Sequence, residues 1–252
     1  KIQWLKLYDS TPLKTRLADK YLVRDWVKEK IGEEYLIPLL GVWDKFDDID
    51  FDKLPNQFVL KCNHGCGYNI IVRDKSKLDL EETKNKINAW LNEDFAFKAG
   101  FEMHYSGIPR KIIAEEYVNP EVSNVEIQCW YFDGNLEFIS YENSKYTANP
   151  CRCILSKDWT ELDFKISPKV YCKPSNTPPH KDYLPQLVRL TDLLAEGFTH
   201  VRVDFIVYNN CLKFREMTFT SGSGLSEFEP EEKSLELGNL IKLPNTNESE
   251  NE

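Results

Sequence analysis

Asp204 and Glu216 are the residues whose types and spacing point most directly to chemistry, since both are acids and they lie on the two arms of one hairpin. The stretch from His200 to Gly224 reads HVRVDFIVYNNCLKFREMTFTSGSG. Val201, Val203 and Phe205 alternate with Arg202, Asp204 and Ile206; Asn209 and Asn210 supply a turn; and Leu212, Phe214, Glu216 and Thr218 resume the alternation. A turn centred on the two asparagines makes partner numbers sum to about 419 to 420, which sets Asp204 opposite Glu216. Two carboxylates facing across a ladder repel each other unless a cation lies between them. Hard oxygen ligands beside an arginine suit magnesium holding a phosphorylated ligand. The Thr220-Ser221-Gly222-Ser223-Gly224 loop would then expose backbone N–H groups and hydroxyls beside the acids, as an anion-binding nest does. Taken alone, the same residues also make a solvated strand face, so the rest of the chain has to decide.

The elements around the hairpin are legible in the apolar spacing. Residues 1–12 are short and aromatic-rich, and Leu13 to Lys30 reads as one amphipathic helix ending at Gly32. Tyr35 to Val42 reads as a short strand. Gln57 to Lys61 and Ile70 to Arg73 are strands flanking the loop Cys62-Asn63-His64-Gly65-Cys66-Gly67-Tyr68-Asn69, whose glycines let backbone N–H groups approach a polyphosphate. Lys61, at the end of the first strand, puts a point charge beside the same phosphates. The loop is neither a P-loop nor a dinucleotide fingerprint. Leu80 to Phe95 is a second amphipathic helix, and Lys111 to Val118 a strand carrying two acids. Val125 to Phe132 and Leu136 to Tyr141 make a hairpin across Asp133-Gly134-Asn135. Asn143 to Lys181 reads as loops and short strands, Tyr183 to Gly197 as a third helix, and Phe228 to Leu243 as partly helical. The expected class is α+β. The expected divisions are a helix and strand segment (1–55), a small lobe with the glycine-rich loop (56–120), a larger lobe with the acidic pair (121–244) and a mobile polar tail (245–252).

Composition narrows the partners. The 252 residues, 41% hydrophobic and 13% aromatic, suffice to bury a core, and the net charge of -9 argues against nucleic acid or an anionic membrane as the main partner. No apolar run approaches the ~18 residues of a membrane span. The chain starts at Lys1 with neither an initiator Met nor an apolar leader, so it is expected to be an excerpt of a longer one. Seven cysteines without a CxxC pair favour reduced thiols and a cytoplasmic address. Cys62, His64 and Cys66 are too few and too closely spaced for structural zinc.

Taken in order, these pieces resemble the ATP-grasp superfamily over nearly the whole chain. The matching residues are Asp19-Lys20, Phe58-Val59-Leu60-Lys61, Gly65 to Gly67, Ala114-Glu115-Glu116-Tyr117-Val118, Arg202-Val203-Asp204 and Glu216-Met217-Thr218. The wording LADKYLVRDWV, EEYLIPLLGV, FVLKCNHGCGYNIIV, IIAEEYV and VRVDF is similar to the TupA-like branch, found among genes for teichuronopeptide, capsule and other surface-polysaccharide synthesis. Two positions depart from the pattern: Thr218 stands where the metal strand often carries Asn, and Gln128 where a lysine is expected.

The resemblance implies an ATP-grasp fold, two α+β lobes with antiparallel sheets clamping ATP, and a carboxylate-amine ligase. It implies adenine against Glu115, Glu116, Tyr117 and Val118, Lys61 and Gln128 toward the phosphates, and the loop of His64, Gly65, Cys66 and Gly67 closing over them. Asp204, Glu216 and Thr218 are expected to hold Mg²⁺, Arg202 to steady the transferred phosphoryl group, and Ser221, Gly222 and Ser223 to cradle an acyl phosphate. The expected substrates are a uronic acid of a polysaccharide or its precursor and an amine or amino acid. Three competitors remain: a sugar kinase using the same ATP site, a nucleotide- or glycan-binding module, and a glycosyltransferase, for which no DxD motif is present.

Overall fold

The computed structural model describes residues 1–98, 100–119, 125–143, 151–167 and 180–243; the tail 245–252 and Cys172 lie outside these. The chain opens with α1 (Ile2–Tyr8), α2 (Pro12–Ala18) and α3 (Val23–Lys30). The single helix expected from 13 to 30 is therefore broken. Asp19 is the cause: its Oδ1 accepts the backbone N–H groups of Tyr21 at 2.7 Å and Leu22 at 3.2 Å, while Asn63 donates to its Oδ2 at 2.8 Å. A side chain that binds the backbone ahead of it competes with the helical ladder and starts a new helix.

A small antiparallel sheet follows, with β1 (Leu39–Trp43), β2 (Phe58–Cys62), β3 (Asn69–Val72) and β4 (Ile112–Glu116) in the order β1-β4-β2-β3. Alternation along β2 sends Phe58, Leu60 and Cys62 inward and leaves Val59 and Lys61 on the other face. The inward face packs against Ile87 and Trp90 of α4 (Leu80–Leu91). That helix was expected to run to Phe95. It stops at Asn92, and Asp94 begins the short α5 (Phe95–Lys98) by accepting the Ala96 N–H at 3.1 Å.

The larger sheet is β5 (Val125–Phe132), β6 (Asn135–Asn143), β7 (Cys151–Leu155), β9 (His200–Tyr208) and β10 (Cys211–Thr218), ordered β10-β9-β5-β6-β7; β8 (Lys165–Ile166) pairs instead with β11 (Phe228–Glu229). One face of this sheet is apolar. Ile127, Tyr131, Ile139, Val203 and Phe205 pack under Leu187, Leu190 and Leu194 of α6 (Leu184–Ala195) and Val23 and Val27 of α3. The opposite face divides in two. Trp130, Phe132, Phe138 and Ile154 are covered by Leu5 of α1 and by Leu237 of α7 (Glu232–Leu240) with Ile241. Beside them Glu126, Gln128 and Asp204 are buried as polar groups, and such groups need partners or a ligand.

The expectation of reduced thiols holds for Cys62, Cys66, Cys129, Cys153 and Cys211, which are free, and is corrected at Cys151, which is disulfide-bonded.

Candidate active site

The carboxylate pair is built by an irregularity in the hairpin. From Cys211 to Phe214 the partners sum to a constant, with Phe214 opposite Phe205; the register then slips, and Glu216 stands opposite Asp204 with Thr218 opposite Arg202. Uninterrupted alternation through Phe214 and Glu216, as the sequence suggests, would put both on one face. The bulge at Arg215 puts them on opposite faces, Phe214 in the core and Glu216 beside Asp204.

Arg202 lies between the two acids. Arg202 Nε donates to Asp204 Oδ1 at 2.7 Å, and its Nη2 donates to Asp204 Oδ2 at 2.6 Å and Glu216 Oε1 at 3.1 Å. Asp204 is fully buried, whereas the Glu216 side chain keeps 41% exposure. Burial pushes the Asp204 carboxyl up to about 7, against the pull of the guanidinium. On the neighbouring strand Gln128 pairs with Asp204, donating to Glu126 Oε1 at 2.8 Å and reaching Asp204 Oδ2 at 3.4 Å.

A second charged cluster faces it from the small sheet. Glu115 accepts from Lys61 through Oε2 and from Arg24 Nη1 at 3.0 Å through Oε1, and Arg24 Nη2 donates to the Ile37 carbonyl at 2.9 Å. Burial raises the Glu115 carboxyl, but Lys61 and Arg24 outweigh it and hold the group below the ordinary carboxylate range. Burial likewise lowers Lys61, with Glu115 opposing.

Between the two clusters lies a cleft of about 220 Å³, lined by Lys20, Lys61, Cys66 and Gly67 on one side and Glu126, Asp204, Arg215 and Glu216 on the other. A contiguous cavity of about 130 Å³ is lined by Ile71, Glu115, Glu116, Tyr117, Val118, Ile206 and again Lys61 and Arg215. The glycine loop contributes by backbone. Lys20 Nζ donates to the Gly65 carbonyl, a Cβ at Gly65 would lie 2.7 Å from Tyr68 and 2.8 Å from Phe95, and Gly67 adopts φ +77° with open space around it.

Several expected residues lie elsewhere. His64 is 1% exposed and turned into the small-sheet core, with Nε2 3.0 Å from the Trp90 carbonyl. Thr218 sits two pairs along the ladder from the acids, on the same face and opposite Arg202. The Ser221–Gly224 turn is held from behind: Gln3 donates to the Ser223 and Gly224 carbonyls at 2.9 and 3.1 Å, and Lys6 to Ser223 O at 3.2 Å. Gly222 and Ser223 have φ of 59° and 53°, and Ser221 is 2% exposed beside a different cavity. Glu126 and Arg215 escaped the sequence reading. Glu126 alone had a signal, two residues before Gln128 on the same face.

Among the described residues no group of three or more His, Cys, Asp or Glu is arranged to hold a metal. Asp204 and Glu216 supply two hard oxygen donors, which suits a magnesium ion that completes its shell with substrate phosphates and water.

The family model described as TupA-like ATPgrasp matches residues 1–242. Among solved structures, L-amino acid ligase from Bacillus licheniformis is similar at TM-score 0.55 and 19% identity, over 96% of this chain and 54% of that one. D-alanine-D-alanine ligase from Helicobacter pylori gives TM-score 0.49 and 18% identity over 90% and 61%. D-alanine-D-alanine ligase from Bacillus anthracis, complexed with ATP, gives 0.44 and 18% over 81% and 54%. The chain thus spans little more than half the length of these enzymes. No curated protein matches it.

Proposed function

The chain belongs to the TupA-like ATP-grasp family, and from that premise we propose that it is an ATP-dependent, ADP-forming carboxylate-amine ligase. One observation carries the reading: the cleft joins Lys61 and Gly67 of the small sheet to Asp204 and Glu216 of the large one, with a second cavity beside Tyr117 and Val118 continuing from it. Adenine would occupy that second cavity and the phosphates the first. The same reading makes residues 56–120 and 121–244 the two lobes that close on the nucleotide.

In this account Asp204 and Glu216 hold Mg²⁺, which neutralises phosphate charge when bound. Lys61 keeps its ammonium beside the inner phosphates with Glu115 fixing its direction. The loop N–H groups around Gly67 reach the outer phosphates without a side chain intervening. Arg202, released from part of its contact with the acids, steadies the γ-phosphoryl group as the substrate carboxylate takes it. Phosphoryl transfer of this kind needs positioning and charge compensation and no nucleophilic side chain. An amine then attacks the acyl carbon of the acyl phosphate, and phosphate leaves. A uronic acid of a surface polysaccharide or its precursor is the proposed carboxylate, and an amino acid or simple amine the nucleophile.

ADP release with Mg-ATP, a panel of uronic acids and hydroxylamine tests the reading. Hydroxamate formed with one uronic acid, and absent in Glu216→Gln, is expected. ADP formed with sugars that lack a carboxylate, without hydroxamate, would make the enzyme a kinase.

A further inference from the structure

On the same face of the large sheet as the carboxylate pair, and past it, lies a separate cavity of about 110 Å³ that none of the nucleotide contacts uses. Trp130 and Phe132 of β5 floor it, α1 and α7 wall it with Ile2, Leu237 and Ile241, and the turn carrying Ser221 closes one side.

Two buried polar atoms of its lining have no hydrogen-bond partner among the described residues: Trp130 Nε1 and Ser221 Oγ, on side chains 4% and 2% exposed. An orphaned buried donor costs about 1–3 kcal/mol, and native proteins keep few of them without a ligand or water to serve. The indole N–H can only donate, so the missing partner offers an acceptor there; the hydroxyl takes either role. Ser226, Ser234 and Gln3 add further polar groups.

Among the described residues the lining contains no Asp, Glu or Arg, and Lys1 donates to the Ile241 carbonyl at 2.8 Å. A zwitterionic amino acid or a phosphate would be left with unpaired charge in such a place. A neutral molecule with apolar faces and several hydroxyls meets every feature.

The cavity also has the right neighbour. Trp130 pairs across the ladder with Arg202, whose guanidinium lies 5.7 Å from the indole centroid while bonding Asp204 and Glu216. Trp130 follows Gln128, the partner of Asp204, by two residues, a step of ~7 Å along a strand.

We propose that this cavity is the subsite for a neutral, hydroxylated ring of pyranose size, and that the ring belongs to the acid substrate, whose carboxylate emerges past Trp130 at Arg202. The placement of the carboxylate rests on the ligase reading; the binding of the ring does not.

Saturation-transfer NMR tests it, using methyl pyranosides, methyl glucuronide, alanine and glutamate with the wild-type chain and with Ser221→Ala and Gly238→Leu. Gly238 lines the cavity and a Cβ there meets nothing within 4 Å, so leucine adds bulk at its wall without a clash in α7. At least one pyranoside is expected to bind, with affinity at least tenfold lower in each variant, while Gly238→Leu keeps wild-type Mg-ATP affinity as proof of folding. No pyranoside binding to the wild type, pyranoside binding unchanged in both variants, or loss of an amino acid signal in place of a sugar signal would overturn the assignment. Ring binding that follows the variants in a chain that fails to bind Mg-ATP would uphold the subsite and refute the nucleotide reading.

Discussion

Glu216 faces Asp204 although Phe214, two residues before it, faces the opposite side of the same sheet. Extending the register of Cys211 to Phe214 unchanged would place Glu216 opposite Val203, in the core. The extra residue at Arg215 reverses the facing, as a one-residue slip must where side chains alternate every second residue.

Arg215 can therefore be removed without disturbing the pair. Its deletion restores simple alternation and leaves the glutamate opposite Asp204. Thermal unfolding is expected within about 4 °C of wild type, on the scale of 1 kcal/mol for a chain of this size. Mg-ATP affinity is expected to fall, because Arg215 lines both halves of the cleft. Failure of the deletion to fold would contradict the register argument.

The two acids differ in what their loss does to stability. Asp204→Asn leaves the Arg202 guanidinium without its buried bidentate partner and is expected to cost about 3 kcal/mol in urea unfolding. Glu216 is half exposed and makes one contact to the same arginine, so Glu216→Gln is expected to change stability by less than about 1 kcal/mol. Equal losses in the two variants would contradict the geometry.

Glu115 is the hub of the facing cluster, and its truncation is expected to do more damage than the loss of either cation. Glu115→Ala strands Lys61 and Arg24 together at a site 7% exposed; about 3 kcal/mol is expected from denaturant titration. Lys61→Met leaves Glu115 paired to Arg24 and is expected to cost less, while weakening ATP binding more than tenfold.

Part of this site was readable in the sequence because its signals are local. The Asn209-Asn210 turn determines which residues of the hairpin meet as far as Phe214, beyond which the bulge at Arg215 takes over, and the alternation of β2 puts Lys61 on the face away from the core. What escaped depends on distant chain. Asp19 breaks the first long helix partly by bonding Asn63, Arg24 leaves its helix face to bridge Glu115, and Gln3 and Lys6 seize carbonyls of the Ser221–Gly224 turn that looked free to face a ligand. Nor does local spacing show that His64, set in a polar loop beside two glycines, turns toward the carbonyl of Trp90. Arg202 was read as a phosphate ligand; its position over both carboxylates makes it first the counter-charge that lets them stand together.

Two buried imidazoles set an acid limit on the fold. Burial holds His104 and His200 at about 4, below their ordinary 6.5. Between those values each ring binds more protons in the unfolded chain than in the folded one, so its contribution is constant above about 6.5 and is lost as pH is lowered toward about 4, while the Asp204 carboxyl, raised to about 7, acts in the opposite sense. Each ring contributes about 3 kcal/mol to that loss. Urea unfolding at pH 7, 6 and 5 checks it, and the slope is expected to lessen in His200→Gln. A slope unchanged in His200→Gln would contradict the burial of its ring.

The central claim is that Asp204 and Glu216 receive the magnesium of Mg-ATP in the cleft. Calorimetric titration of ATP with and without Mg²⁺, into wild type and Glu216→Gln, tests it most directly. The wild type is expected to bind ATP at least tenfold more tightly with Mg²⁺ present, and the variant to lose that magnesium dependence while retaining its fold. Magnesium dependence unchanged in a folded Glu216→Gln protein would contradict the account.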